Sequence, residues 1–158
     1  MAVKENRAAA RAPGGAERDL DIDLSLAVAW ASLATGAATG LLLGLWSFGG
    51  PVPVPAFLGE YDELPRRLLR LGHIAFFGLG MLNIMLSRHM ASGSVRRSLG
   101  RVALGSMNFG NVLLPLTLIL AAFIEPAKYL MSLPAAAVTV ALVIAAYAAA
   151  QRARGRTP

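Results

Sequence analysis

The chain has no cysteine, and it has few charged residues for its length of 158. Without thiols, disulfide bonds, cysteine-ligated zinc and cysteine-ligated iron–sulfur clusters are excluded. Asp, Glu, Lys and Arg make up 15% of the residues, whereas a soluble domain carries about 25%. Because 56% of the residues are hydrophobic, the shortage of charge indicates a membrane protein.

Long apolar runs dominate the rest of the sequence. Each has about 19 to 25 residues, enough for a helix rising about 1.5 Å per residue to cross a hydrocarbon core of about 30 Å. A backbone in lipid must satisfy its own hydrogen bonds, so these runs are expected to be helices. We predict an all-α fold, an integral membrane four-helix bundle within residues 21–151. The predicted spans are about 24–48, 68–89, 101–124 and 128–150.

The distribution of Lys and Arg predicts the orientation of these spans. Eleven of them lie before the first span, between the second and third, or after the fourth, and only four lie at the opposite ends. Positive residues favour the cytoplasm, so both termini are predicted to be cytoplasmic. Residues 1–20 are expected to form a flexible cytoplasmic tail, and residues 152–158 a basic one. The Ala, Gly and Arg content favours a bacterial inner membrane.

Local signals predict features near the span ends. The side-chain oxygens of residues 21–25, DIDLS, are typical of a helix start. In the loop 49–67, alternating prolines favour an extended path. A short interfacial helix is expected to follow over Phe57–Leu69, broken or kinked by Pro65.

Small residues repeat every fourth position in the first span. Positions at this spacing stay on one helix face, so the repeat predicts a tight seam with a helix of this chain or of a partner. The residues are Ser32, Gly36, Gly40 and Gly44.

Three asparagines lie within the second and third spans. Asn83 and Asn108 are expected at depths that differ by only about 3 Å, so a hydrogen bond between them is predicted. Asn111 follows Asn108 by one turn and shares its face. These residues are interpreted as polar contacts between helices, or alternatively as part of a ligand, quinone or water pathway.

His73 lies about one turn below the predicted outer surface. It is either an interfacial histidine bonded to loop carbonyls or lipid, or a contact to haem b or a quinone. His89 is sixteen residues away, about 24 Å along one helix, and cannot hold the same haem. A second axial ligand would come from another subunit, a symmetry mate or Met131.

The spans also lack the groups that transport and catalysis usually need. No Asp or Glu lies in their middle, which counts against an ion-coupled transporter. No nucleophile–base pair, phosphate loop or metal-ligand cluster is recognisable, so neither an enzyme nor a metal site is predicted. The basic residues flank apolar runs, which signals membrane topology rather than nucleic-acid binding.

These observations predict a small non-catalytic accessory subunit of a larger membrane complex, of a respiratory or electron-transfer kind. The expected partners are the lipid bilayer and other membrane subunits, or copies of the chain itself. Two alternatives stay open: a small membrane protein that binds haem b or quinone through His73, and a small oligomeric transporter or channel.

Overall fold

A computed structural model describes residues 13–47, 49–92 and 95–155. Four long helices account for most of this part of the chain, which contains no strand. They are α1 (Pro13–Gly44), α2 (Leu64–Ala91), α3 (Arg97–Phe123) and α4 (Ser132–Arg154). Each is long and apolar enough to cross a membrane, which confirms the predicted all-α architecture with four candidate spans.

The helices pack as a three-helix core with one addition. α1 packs on α2, α2 packs on α3, and α1 also reaches α3. The fourth helix, α4, packs mainly on α3 and has only a small contact with α2. A buried cluster around Met107 joins α2, α3 and α4.

Apolar side chains also cover the outside of the bundle. Leu41 is 74% exposed, Met85 65% and Leu133 66%. In water such surfaces would be an aggregation hazard, whereas in a bilayer they meet acyl chains. The exposed faces therefore support a multi-pass membrane protein.

Contacts between helix ends place both described termini at one end of the bundle. Glu17 near the start of α1 pairs with Arg97 and Arg101 at the start of α3. Arg152 near the end of α4 donates to the carbonyl of His89 near the end of α2, at 2.9 Å. We call this the terminal end, and the opposite end, with residues 45–63 and 124–131, the loop end.

All four helices begin at other residues than predicted, and α2 and α3 begin four residues early. α1 begins at Pro13, so residues 13–20 of the expected flexible tail are helical and residues 21–25 lie inside the helix. Its ion pairs with α3 hold this extension, since Asp21 also contacts Arg101, at 3.1 Å. Residues 1–12 and 156–158 of the predicted tails lie outside the described residues. α4 begins at Ser132, after a 3₁₀ segment over Glu125–Met131.

The predicted helix over Phe57–Leu69 is also wrong. A 3₁₀ turn covers only Ala56–Leu58, and α2 begins at Leu64. Pro65 therefore lies in the first turn of α2, where a missing N–H costs nothing and the fixed φ favours the helix. It begins the span instead of kinking it.

Candidate functional site

Buried polar side chains connect α1, α2 and α3 within the bundle. Asn83 donates from Nδ2 to Asn108 Oδ1 at 2.9 Å, which is the contact that their depths predict. It also donates to the carbonyl of Ser25, at 3.3 Å. Asn108 in turn donates to the Ser25 hydroxyl at 3.0 Å, and that hydroxyl donates to the carbonyl of Asp21. The bonds run in one direction from α2 through α3 to α1, so each polarises the next.

A second polar contact lies further along the same three helices. The Ser32 hydroxyl is 2.8 Å from both Asn111 Oδ1 and the carbonyl of Phe76. A hydroxyl has one hydrogen and can donate fully to only one acceptor. If the Asn111 amide turned by 180°, its Nδ2 would donate to Ser32 while Ser32 donated to Phe76. That arrangement uses Nδ2, which otherwise is buried and has no partner among the described residues.

These bonds predict an energetic coupling between Asn83 and Asn108. Replacing either by Leu should destabilise the protein, and the double variant should lose less than the sum. We expect a coupling of about 0.6–1.7 kcal/mol, the range for hydrogen bonds between membrane helices. Equilibrium unfolding of the four proteins in detergent measures it. Thr139→Val is a control, because its exposed hydroxyl donates to the carbonyl of Ala135 in its own helix. Full additivity of the two asparagine variants would contradict the prediction.

The small-residue face of α1 forms a seam over part of its predicted length. A Cβ at Gly36 would meet the rings and side chains of Phe77 and Phe76, at 2.9 and 3.3 Å. A Cβ at Gly40 would enter the ring of His73. Gly44, in contrast, has nothing within 4 Å, so the seam within this chain does not reach this position. The seam ends because α1 itself ends at Gly44.

His73 binds to this seam and is partly buried. Its Nδ1 lies 2.8 Å from the carbonyl of Gly36. Gly36 is one turn before Gly40, and the ring lies over Gly40. A carbonyl only accepts, so Nδ1 carries the hydrogen. Any lone pair of the ring would then be on Nε2. Phe77 supports the ring edge-on, with the centroids 5.3 Å apart. The hydrogen-bond partner is thus a helix carbonyl, where a loop carbonyl or lipid was expected.

The other residues considered with His73 pack elsewhere. Met131 contacts a buried cluster with Leu68 and Ala121, on the side of α2 that faces α3. His89 lies near the terminal end, and its Nε2 is buried without a partner in the described part of the chain.

Three close approaches between helices were missed by the sequence analysis. A Cβ at Gly80 would come within 3.1 Å of the carbonyl of Ala29, and one at Gly72 within 3.2 Å of that of Pro115. At Gly110 it would come within 3.0 Å of the carbonyl of Pro134. Each of these glycines contacts a different helix carbonyl. Because no small-residue repeat at every fourth position includes them, the sequence pattern does not predict these contacts.

Taken together, these contacts describe a site in which polar and small residues join helices and one imidazole is bonded through Nδ1 to a helix carbonyl. Comparison with protein-family models, characterised proteins and solved structures finds no match for this chain.

Proposed function

We propose that this chain is a small non-catalytic accessory subunit of a larger membrane complex. The main support is that the polar side chains within the spans bond to one another. Asn83, Asn108 and Asn111 all bond across helix interfaces of the same chain. Side chains engaged in this way stabilise the bundle and are poorly placed to act on a substrate. The cytoplasmic position of the termini, inferred from the Lys and Arg counts, is part of this proposal.

The outer face of α4 supports an association with other helices. α4 is attached mainly through α3, so much of its circumference faces outward. That face presents small side chains that let another helix approach closely. Ala135, Thr139, Ala146 and Ala150 are exposed small residues that share one side of the helix.

Purification from native membranes in mild detergent tests the proposal. We expect a tagged chain to elute in an assembly with other membrane proteins, identified by mass spectrometry. Ala146→Leu should reduce the recovery of these partner proteins, because the larger side chain keeps another helix from approaching α4 closely. Ala38→Leu is the matched control, since Ala38 is also exposed but lies on α1. Elution as a monomer, or with copies of itself alone, would argue against an accessory subunit.

A second candidate function is binding of haem b or quinone, favoured by the state of His73. Its bond to the Gly36 carbonyl orients the ring, so any lone pair of the ring would be on Nε2. Ligating histidines usually donate their other nitrogen in this way. The same nitrogen could instead accept a hydrogen bond from a quinol. An electron-transfer role for the complex depends on this candidate.

Absorption spectroscopy separates the two candidates. If His73 ligates haem, the protein purified from haem-supplemented cells shows a Soret band that His73→Ala abolishes. His89→Ala should retain that band, because His89 lies near the terminal end. The absence of a Soret band in the unmodified protein would eliminate the haem version.

A further inference from the structure

The loop end contains a cavity that the proposed function does not use. Its volume is about 510 Å³, and Trp46, Tyr61 and Arg66 line it together with the prolyl stretch 52–54. A much smaller cavity of about 10 Å³ shares these three residues and adds Arg70. Two arginines from the first turns of α2 therefore line these two adjoining cavities, which lie beside the end of α1.

The two arginines bring positive charge to this cavity and its neighbour. The guanidinium carbon of Arg70 lies 3.9 Å from the centre of the Tyr61 ring, and that of Arg66 lies 5.2 Å from it. The two cations are thus held against one ring. Ion pairs between described residues include neither of them. Their mutual repulsion would be relieved by an anion in the cavity.

Hydrogen-bond donors at the cavity are also left unused. Nη1 of Arg70 and Nε1 of Trp46 are buried, and neither has a partner in the described part of the chain. Arg66 uses one N–H on the carbonyl of Trp46, at 2.8 Å, which fixes its direction. A buried donor without an acceptor costs free energy, so this cluster favours a ligand with acceptor oxygens.

An apolar groove continues from the same residues towards the membrane interior. Its volume is about 160 Å³. Leu43, Trp46 and Leu69 line both this groove and the small cavity beside Arg70. Ile119 and Phe123 of α3 form its far wall. A ligand that fills both spaces needs an anionic head and a hydrocarbon tail.

We propose that the loop end binds an anionic membrane amphiphile. Its phosphate or carboxylate oxygens accept hydrogen bonds from Arg66, Arg70 and Trp46, and its chain lies in the groove between Leu69 and Phe123. Arginine suits this task because its planar fork matches the geometry of such oxyanions. The inference is independent of the proposed assembly with other subunits.

Trp46 itself reports on binding. The chain has two tryptophans, and Trp30 is 61% exposed on α1. Trp30→Phe in the full chain leaves Trp46 as the only one. In a neutral detergent we expect phosphatidylglycerol to change its emission saturably, and native mass spectrometry to show one retained lipid. Phosphatidylcholine should have no saturable effect, and inorganic phosphate should bind much more weakly, because it lacks the chain.

Three arginine variants test the assignment of residues. Arg70→Gln and Arg66→Gln should each weaken the phosphatidylglycerol response by about tenfold or more, since each removes a charged donor. Arg67→Gln removes the same charge from the same helix turn, but Arg67 is exposed and lines neither cavity. The affinity of this variant for phosphatidylglycerol should therefore stay within about twofold of the unmodified protein. Circular dichroism and gel filtration verify folding, and either of the first two variants suffices if the other misfolds.

Three results would overturn the proposal. An equal response to phosphatidylcholine would show that the head charge is not recognised. Inorganic phosphate binding as tightly as the lipid would replace the amphiphile by a free anion. If Arg67→Gln lowered the affinity for phosphatidylglycerol as much as Arg70→Gln, net charge alone would explain binding, without a specific site.

Discussion

Leucine at Gly110 should destabilise the protein by about 3 kcal/mol, the upper part of the usual range for overpacking a helix interface. At this position α3 meets α4 with no room for a side chain. A Cβ would lie 3.0 Å from the carbonyl of Pro134 and 3.3 Å from the amide nitrogen of Val138, and it would overlap the Val138 side chain. Because two of these three atoms are backbone, α4 itself must move away.

The same helix offers a matched control. Gly105 has nothing within 4 Å of a built Cβ and is exposed. Gly105→Leu therefore adds an apolar side chain to the lipid-facing surface and should leave stability unchanged or slightly higher. Unfolding in detergent, followed by circular dichroism, measures both variants. Equal losses at the two positions would mean that α4 does not pack on Gly110.

Alanine at Gly40 should cost about 1–2 kcal/mol and displace the His73 ring. The new methyl group would enter the imidazole, whose two nitrogens both lie 3.1 Å from the Cβ position. A planar ring cannot yield by bending, so it rotates out and loses its bond to the Gly36 carbonyl. If His73 binds haem, the same change should also shift or abolish the Soret band.

Gly44→Ala is the control for this substitution. It lies one turn further along the same helix, at a position with open space around it. We expect no loss of stability there. Nuclear magnetic resonance of the His73 ring, with His89 replaced, separates displacement of the ring from a general loss of stability. An unchanged His73 signal in Gly40→Ala would contradict the packing described here.

Hydropathy predicts the four spans well because the bilayer imposes a minimum length and an apolar composition on each. The contact of Asn83 with Asn108 is also predictable, since consecutive antiparallel helices relate depth directly to sequence position. The start of α1 is not, because Glu17 and Asp21 continue the helix by pairing with Arg97 and Arg101, some 80 residues later. Such pairing depends on tertiary structure.

Glycine positions show the same limit. The repeat at Gly36 and Gly40 predicts a seam, but periodicity does not reveal that the helix ends at Gly44. Gly72, Gly80 and Gly110 each serve a different interface, so they share no period. The cluster of Trp46, Tyr61, Arg66 and Arg70 depends on the path of the loop that joins α1 to α2. Its prolines predict an extended chain and not which side chains it brings together.

The polar residues of the spans face one another inside the bundle. Cysteine cross-linking in membranes tests it directly, because the chain has no cysteine of its own. Ser32→Cys with Asn111→Cys joins α1 to α3, two helices that are not consecutive, at side chains 2.8 Å apart. Oxidation by molecular iodine, which enters apolar regions, should join the two thiols as a disulfide. The exposed pair Thr35→Cys with Val112→Cys should stay unlinked. Efficient linking of the exposed pair, with none at Ser32 and Asn111, would show that these two polar side chains do not face each other.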